Sequence, residues 1–454
     1  MHAALVAVRN ATIGTPYEGD LFVVGGAVRD ELLGIPHEAD FDLVTQQSAP
    51  ALAQFLFEKG VSAIAPVTYE RFGTAMVQVE GIAIELVTAR RESYDETSRK
   101  PSVEPATLLE DSLRRDFTVN TLMRGLHDGE LKDPLGHGLA DLEAKVLRTP
   151  LDPEATFYDD PLRMLRAVRF RWKLRFEPAP GLYESIRDTR DRLRIVSQER
   201  IRDEFLKMLA LPTGPEAMQD LMDLGLFEVF LPEFLPMVNC EQGSYHHLDV
   251  WGHTLHVLKN AGNRDVTLGL AALFHDIGKP PTRFVDAQGN IRFFGHETVG
   301  ETMTREILRR LKFSEKDIDA VAILVKNHMR LGSSPEFTAS AARRLLRDMD
   351  GQVDQLLALV EADANALKTG VRVMDLGPIR KRIEEVSRIT PVETLDSPLS
   401  GEEIMNLTGL PPGREIGRIK QLLTEKVLEG ELSPDDKEAA VAFVRSGLGN
   451  GSTE

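Results

Sequence analysis

The chain has 454 residues, room for about three domains at roughly 150 residues each. Its 42% hydrophobic and 28% charged composition suits a globular protein in water, and no apolar run approaches the roughly 18 residues of a membrane span, which excludes a membrane partner of that kind. A net charge of −17 excludes indiscriminate nucleic-acid binding, so an RNA partner must meet a local basic patch on an acidic body. The one cysteine, Cys240, excludes an intramolecular disulfide and fits a reducing cytoplasm, and the opening MHAALVAVRNATIG lacks the basic and apolar regions of a signal peptide.

The apolar run Leu21-Phe22-Val23-Val24 ends in Gly25-Gly26. A short helical pattern follows, with Val28 and Leu32 one turn apart and Gly34 placed to end it. Asp40-Phe41-Asp42 then opens a second apolar run. In a strand Asp40 and Asp42 share one face and Phe41 takes the other. Two carboxylates on one face repel unless a cation lies between them, and oxygen ligands of this kind suit Mg²⁺. Paired glycines at a helix start let a phosphate approach backbone N–H groups. Either feature alone is usually a turn; together they read as a nucleotidyl-transfer site.

This joint pattern resembles the active-site motif of the DNA polymerase β-type nucleotidyltransferase superfamily. In its GGAVRD form it resembles the class II branch, the tRNA CCA-adding enzymes and bacterial poly(A) polymerases. The resemblance implies Asp40 and Asp42 as catalytic Mg²⁺ ligands, with Gly25, Gly26 and Arg29 at the nucleotide.

Ala49 to Gly60 reads as a helix, and Thr74–Val79 with Ile82–Val87 as a hairpin. Glu85 points away from the Ile82, Ile84 and Leu86 face. Beside the Asp40 strand it would add a third catalytic acid; otherwise it is an outward carboxylate. Ala89 to Glu110 is polar and reads as a loop, where the resembling family has a flexible element that helps position the incoming nucleotide and that is cut short in relatives adding only part of the CCA end. Leu113 to Asn120, LRRDFTVN, is similar to the family's RRDFTxN motif. Guanidinium groups of Arg114 and Arg115 suit triphosphate oxygens, and Asp116 or Asn120 can hydrogen-bond a ribose hydroxyl. Asp133 to Leu142 resembles the hinge that closes the head.

Asp159-Asp160-Pro161-Leu162-Arg163 is expected to open a helix that continues as MLRAVRFRWKLRF. Its basic residues, Arg163, Arg166, Arg169, Arg171, Lys173 and Arg175, mark an RNA or triphosphate surface, with a solvated basic face as the plainer reading. Asp160 and Arg163, three apart, would share a helical face. The position looks like the family's EDxxR motif, with Asp159 in place of Glu. A carboxylate only accepts and a guanidinium only donates, so the pair matches cytosine and adenine and is mismatched to guanine and uracil. Arg166 and Arg169 extend the nucleotide-facing set. Ser197 to Phe205 resembles the last neck motif and is expected to pack the neck and orient Arg163.

Seven of the eleven histidines lie between residues 246 and 328: His246, His247, His253, His256, His275, His296 and His328. His275-Asp276 is expected inside a helix ending at Gly278. The order His253, His275-Asp276, Asp363 is similar to the HD-domain metal phosphohydrolases, which implies these four as ligands of a divalent transition metal, with His296 and His328 available to a second metal or phosphate. Beyond residue 381, helices after Ser400 and Gly413, with Arg414, Arg418 and Lys420, look like the tail of HD-containing class II enzymes, a tRNA contact or a plain hairpin. Gly449 to Ser452 reads as a disordered end.

The expected architecture is α+β: a mixed-sheet polymerase β-like head (1–148), then an all-α neck for RNA (149–236), an HD body (237–380) and a helical tail (381–454). The expected reaction adds C and/or A from CTP or ATP to the tRNA 3′ end in the cytoplasm. CC-only, A-only and poly(A) synthesis are alternatives within the class. An HD phosphohydrolase acting on phosphorylated RNA ends or nucleotides, and a tRNA-binding protein with an inactive head, are alternatives outside it. No protein partner can be inferred.

Overall fold

The computed structural model describes residues 1–36, 40–95, 98–243, 248–262, 265–333, 337–367, 375–389 and 395–448. It divides into two compact units, Met1–Pro232 and Glu233–Glu454. No helix among the described residues is long and apolar enough to cross a membrane.

In the first unit, α1 (Ala3–Thr12) leads into β1 (Phe22–Val24), α2 (Gly26–Leu32), β2 (Phe41–Thr45), α3 (Ala49–Glu58), β3 (Val67–Tyr69), β4 (Thr74–Val79) and β5 (Ile82–Thr88). A separate two-stranded ribbon, β6 (Arg90–Asp95) with β7 (Ser98–Pro105), precedes α4 (Leu108–Leu113), β8 (Met123–Gly125) and β9 (Leu131–Lys132). The described sheet has the order β3-β4-β5-β2-β1-β8-β9. Its β2–β5 pair is parallel and the remaining pairs are antiparallel. Glu80 and Gly81, both at positive φ, make the two-residue turn that sets the β4–β5 register. Phe22, Val24, Val44, Ala89 and Met123 pack together as core on these strands.

The ribbon replaces the loop expected from Ala89 to Glu110. Ladder hydrogen bonds use backbone groups, so a mostly polar sequence can pair as strands without showing an apolar alternation. α4 is capped reciprocally by Thr107 and Glu110, worth about 1 kcal/mol.

The chain continues through α5 (Gly138–Ala144), β10 (Val146–Leu147), α6 (Pro153–Asp159), α7 (Leu162–Leu174), β11 (Glu177–Pro178), α8 (Leu182–Thr189), α9 (Gln198–Leu209), α10 (Gly214–Asp223) and α11 (Phe227–Phe230). β10 and β11 pair in parallel, a small departure from an all-helical neck. Asp159 and Asp160 do not open α7 as expected. Asp159 ends α6, and Asp160 is extended at φ −135°, ψ 97°. Pro161 disfavours a helical residue before it, so one helix stops and a second starts. Asp160 and Arg163 therefore share no helical face; the Arg163 N–H donates to the Asp160 carbonyl instead.

The second unit contains α12 (Val250–Ala261), α13 (Val266–Phe274), α14 (Lys279–Thr282), a hairpin of β12 (Phe284–Val285) and β13 (Ile291–Arg292), α15 (His296–Arg310), α16 (Glu315–Asn327), α17 (Ala339–Asp348), α18 (Val353–Ala364), α19 (Gly377–Ile389), α20 (Gly401–Thr408), α21 (Arg414–Glu429) and α22 (Lys437–Leu448). The tail has a small core of its own, including Leu399, Ile404, Ile416, Leu423, Ala440 and Val444. Arg344 on α17 pairs with Glu425 and Glu429 on α21. Gly449 to Ser452 lies outside the described residues.

Candidate active site

A cavity of about 490 Å³ opens at the end of β1. Gly25, Gly26, Arg29, Asp40, Asp42, Arg115, Asp116, Asn120, Arg166 and Arg169 all line it. Gly25 has φ 73° and ψ −134°, open to glycine almost alone, and a Cβ there would lie 3.6 Å from the Asp42 carboxylate. Asp40 and Asp42 face this cavity, while Phe41 is buried and faces a second cavity behind the sheet with Leu5 and Val23. The strand alternation thus places both acids on one side, although β2 itself starts at Phe41.

Glu85 is in register with Asp42 on the neighbouring parallel strand. It is exposed and is not part of the cavity lining. Its charge still reaches Asp42. Burial first, then Glu85 and Asp40, push the Asp42 carboxyl up to about 6, against the pull of Arg115. The ordinary carboxylate is better satisfied than this, and a cation between Asp40 and Asp42 would relieve the repulsion.

The arginines form a fixed wall. Arg29 is 2% exposed; it donates to Asp30 at 2.7 Å and Asn120 at 2.6 Å and lies over the Phe170 ring. Asp116 accepts from Asn120 at 2.9 Å and from Arg166 at 2.9 and 2.5 Å. Burial raises the Asp116 pKa, but Arg166 and the hydrogen bonds outweigh it and hold the carboxyl well below its usual range. Arg169 donates to the buried Glu204 at 2.6 Å, and Arg166 approaches the same carboxylate at 3.7 Å. Arg171 pairs with Asp220 beside Tyr183 and Trp172. Of the basic run, Arg166, Arg169 and Lys173 line the cavity on the triphosphate side of the expectation, and Arg169 and Arg171 are tied to the buried Glu204 and Asp220 rather than forming a solvated face.

Arg114, Asp160 and Arg163 are not in the cavity lining. Arg114 is held by Asp111 and the Arg90 carbonyl. Asp160 pairs with Arg200 at 2.9 Å, and Arg163 donates to the Thr156 and Arg114 carbonyls. The motif at Ser197 to Phe205 accordingly supports Asp160, Arg166 and Arg169 through Arg200 and Glu204, where Arg163 had been the expected partner. Residues to which sequence reasoning gives no role are Asp30, on the cavity wall, and Glu204; Lys173, from the basic run, shares that wall and approaches Asp30 at 3.8 Å. Asp30 stands in the GGAVRD motif and Glu204 in the Ser197–Phe205 motif, but neither pattern says which arginine each acid meets.

In the second unit, four helices and one turn bring six side chains together. His253 is on α12, Asp363 on α18, His296 starts α15 and His328 caps α16. His275 and Asp276 lie in the turn after α13, not inside a helix. A Cβ on Gly278 would fall 2.1 Å from the His296 carbonyl oxygen, so glycine lets the turn press against α15. Ligand atoms of His253, His275 and Asp363 lie within 4.8 Å of one another, as do those of Asp276, His296 and His328. Asp276 stands between the sets, 3.1 Å from His275 and 3.5 Å from His296. The Nδ1 atoms of His275, His296 and His328 meet backbone carbonyls at 2.8, 2.8 and 2.6 Å, the donor role that leaves each Nε2 a lone pair toward the cluster. Burial and His275 push the His328 pKa down to about 4, so it is neutral at neutral pH. The donor set fits a divalent cation. His246 and His247 lie outside the described residues.

Sequence profiles match along the chain: the poly A polymerase head domain over residues 21–148, the probable RNA and SrmB-binding site of polymerase A over 175–237, and the HD domain over 244–375. An A-adding tRNA nucleotidyltransferase of Deinococcus radiodurans is 34% identical over 445 residues, 95% of this chain and 96% of that protein. The chain belongs to the tRNA nucleotidyltransferase family. A CC-adding tRNA nucleotidyltransferase of Thermus thermophilus is also 34% identical, across 94% of this chain and 93% of that one. The solved structure of the Bacillus stearothermophilus CCA-adding enzyme in complex with CTP shares the fold, with a TM-score of 0.70 and 23% identity over 99% of this chain and 98% of that chain. A family head of this type joined to an HD domain implies divalent-metal use.

Proposed function

We propose that this chain adds C and/or A residues from CTP or ATP to the 3′ end of tRNA. The reaction joins the RNA 3′ hydroxyl to the α-phosphate and releases pyrophosphate. The observation that carries this reading is the cavity in which Asp40 and Asp42 face Arg115, Arg166 and the start of α2. Mg²⁺ suits the hard oxygens of Asp40 and Asp42, and when bound there it would lower the hydroxyl's pKa and neutralise charge at the phosphorus. Glu85 keeps that position acidic from the neighbouring strand. Gly25 and Gly26 expose backbone to the triphosphate, and Arg115, Arg166 and Arg169 balance its charge. Asp116 and Asn120 order the arginine wall and border the ribose side. Asp160 and Arg163 read the base by offering an acceptor beside a donor.

In the second unit, His253, His275, Asp276 and Asp363 are the ligands we assign to a divalent transition metal, with His296 and His328 completing a second position. The four-part division at residues 148, 236 and 380 and a cytoplasmic location are part of the same reading. Full-length matches to an A-adding and to a CC-adding enzyme, both 34% identical, keep A-only and CC-only addition as the two narrower readings.

One assay separates these readings. Purified protein is given tRNAs ending before CCA, after C and after CC, each with a single NTP, and the products are sized. C or A incorporation with UTP and GTP rejected is expected. No incorporation into any of the three tRNAs contradicts the proposal.

A further inference from the structure

Asp111 has no exposed surface, yet its carboxylate joins three parts of the head. Its Oδ2 accepts from Arg115 Nε and Nη2 at 3.1 and 3.0 Å. Its Oδ1 accepts from Arg114 Nε and Nη2 at 2.9 and 2.6 Å, and from the Arg90 backbone N–H at 3.3 Å. Arg90 is the first residue of the β6–β7 ribbon, and its carbonyl accepts from Arg114 at 3.0 Å. The Arg114 carbonyl in turn accepts from Arg163. One carboxylate therefore fixes two guanidinium forks, the root of the ribbon and, one bond further, the guanidinium assigned to the base.

The geometry also says why Arg115 needs a holder. Its Nη1 lies 3.9 Å from where a Gly25 Cβ would be, and Asp42 Oδ2 lies 3.6 Å from that same point. A guanidinium this near a carboxylate pair would turn and bind it, occupying the acids and leaving the phosphates without a partner. Two hydrogen bonds that Arg115 donates to Asp111 hold its fork away from that turn. We propose that Asp111 is a positioning residue of the nucleotide site: it keeps Arg115 off Asp40 and Asp42 and directed at the incoming triphosphate, and through Arg114 it sets the placement of Arg163 from the root of the ribbon. This rests on the nucleotidyl-transfer reading above. Asp111 lies three and four residues before the arginines, the spacing at which helical neighbours meet. Burial raises its pKa, but Arg115 and Arg114 outweigh this and keep it ionised.

The test uses full-length protein, a tRNA lacking its terminal nucleotides, and CTP, ATP and UTP. Asp111→Asn keeps the shape but replaces one acceptor with a donor. It should raise the KM for the accepted nucleotide about tenfold or more, with a smaller change in kcat, and reduce the preference over UTP about tenfold. Asp111→Glu should recover part of both. Equilibrium nucleotide binding without tRNA should weaken in parallel. Wild-type KM and selectivity in a folded Asp111→Asn overturn the inference, and so does a fall in kcat alone, which is what a purely structural residue would give. Should Asp111→Asn not fold, Arg114→Ala removes the fork to Asp111 and leaves the backbone carbonyl that Arg163 uses without that anchor; unchanged selectivity there is the contradicting result. Absence of addition by the wild type instead defeats the transfer reading itself, and this inference with it.

Discussion

The head cavity and the HD cluster treat buried charge in opposite ways. In the head, burial, Glu85 and Asp40 outweigh Arg115 and leave the Asp42 carboxyl near 6. In the HD cluster Asp276 is more deeply buried, but His275 and Lys279 lie 3.1 and 2.6 Å away and hold its carboxyl well below the usual range. Asp363 is likewise held down by His253, against its burial. Burial and like charge thus disfavour the ionised Asp42 in the head, whereas neighbouring imidazoles and Lys279 favour the ionised acids of the cluster. Cation loss should be felt first in the head, and geometric damage most in the cluster.

The largest effect should come from geometry in the second unit. Gly278→Ala sets a Cβ 2.1 Å from the His296 carbonyl and should cost about 3 kcal/mol, read as a lower unfolding midpoint in urea. A stability equal to wild type would mean that the turn does not press on α15 as described.

Next is the charge penalty in the head. A carboxyl whose folded pKa is raised contributes stability that is complete below its unfolded value near 4 and is lost as pH rises through about 6. Metal-free Asp42→Asn, freed of that loss, should be about 1–3 kcal/mol more stable than wild type at pH 7.5, with the gap closing below pH 4. Thermal melts in chelator across this range measure it. A gap that persists at low pH would point to packing and remove the electrostatic contrast.

Arg163→Ala should lower discrimination of CTP or ATP against UTP by about tenfold in competition assays while leaving catalysis by Asp42 in place. Equal loss for every nucleotide would make Arg163 a structural residue. The smallest effect on addition is expected from His275→Ala. It should remove tightly bound divalent metal, measured by elemental analysis of the dialysed protein, while nucleotide addition stays at the wild-type level. A joint loss would show that the two sites depend on each other.

The same contrast explains what could be read in the sequence. Gly25, Gly26, Asp40 and Asp42 lie within one short stretch, where the glycine pair and the strand alternation of the two acids are local patterns, and all four line the cavity. The His-Asp order was equally visible, but Gly278 was read as a helix end when its work is close contact with α15. Asp160 was misplaced because Pro161 splits the helix on which the facing argument relied. The basic run of α7 suggests an RNA or triphosphate surface; Asp116, Glu204 and Asp220, which pair with Arg166, Arg169 and Arg171, stand 35 to 50 residues from them along the chain, beyond any local pattern. The ribbon strands Arg90–Asp95 and Ser98–Pro105 carry only Tyr94 and Val103 as large apolar residues, too few to show an alternation.

The central claim is that the acid pair on β2 performs the transfer. Its most direct test is single-turnover addition of CTP or ATP to tRNA lacking its terminal nucleotides, comparing wild type with Asp42→Ala after both are shown to be folded by circular dichroism. The account predicts a loss of at least about 10³-fold at saturating nucleotide and divalent metal. Addition by Asp42→Ala at a rate near wild type would contradict it.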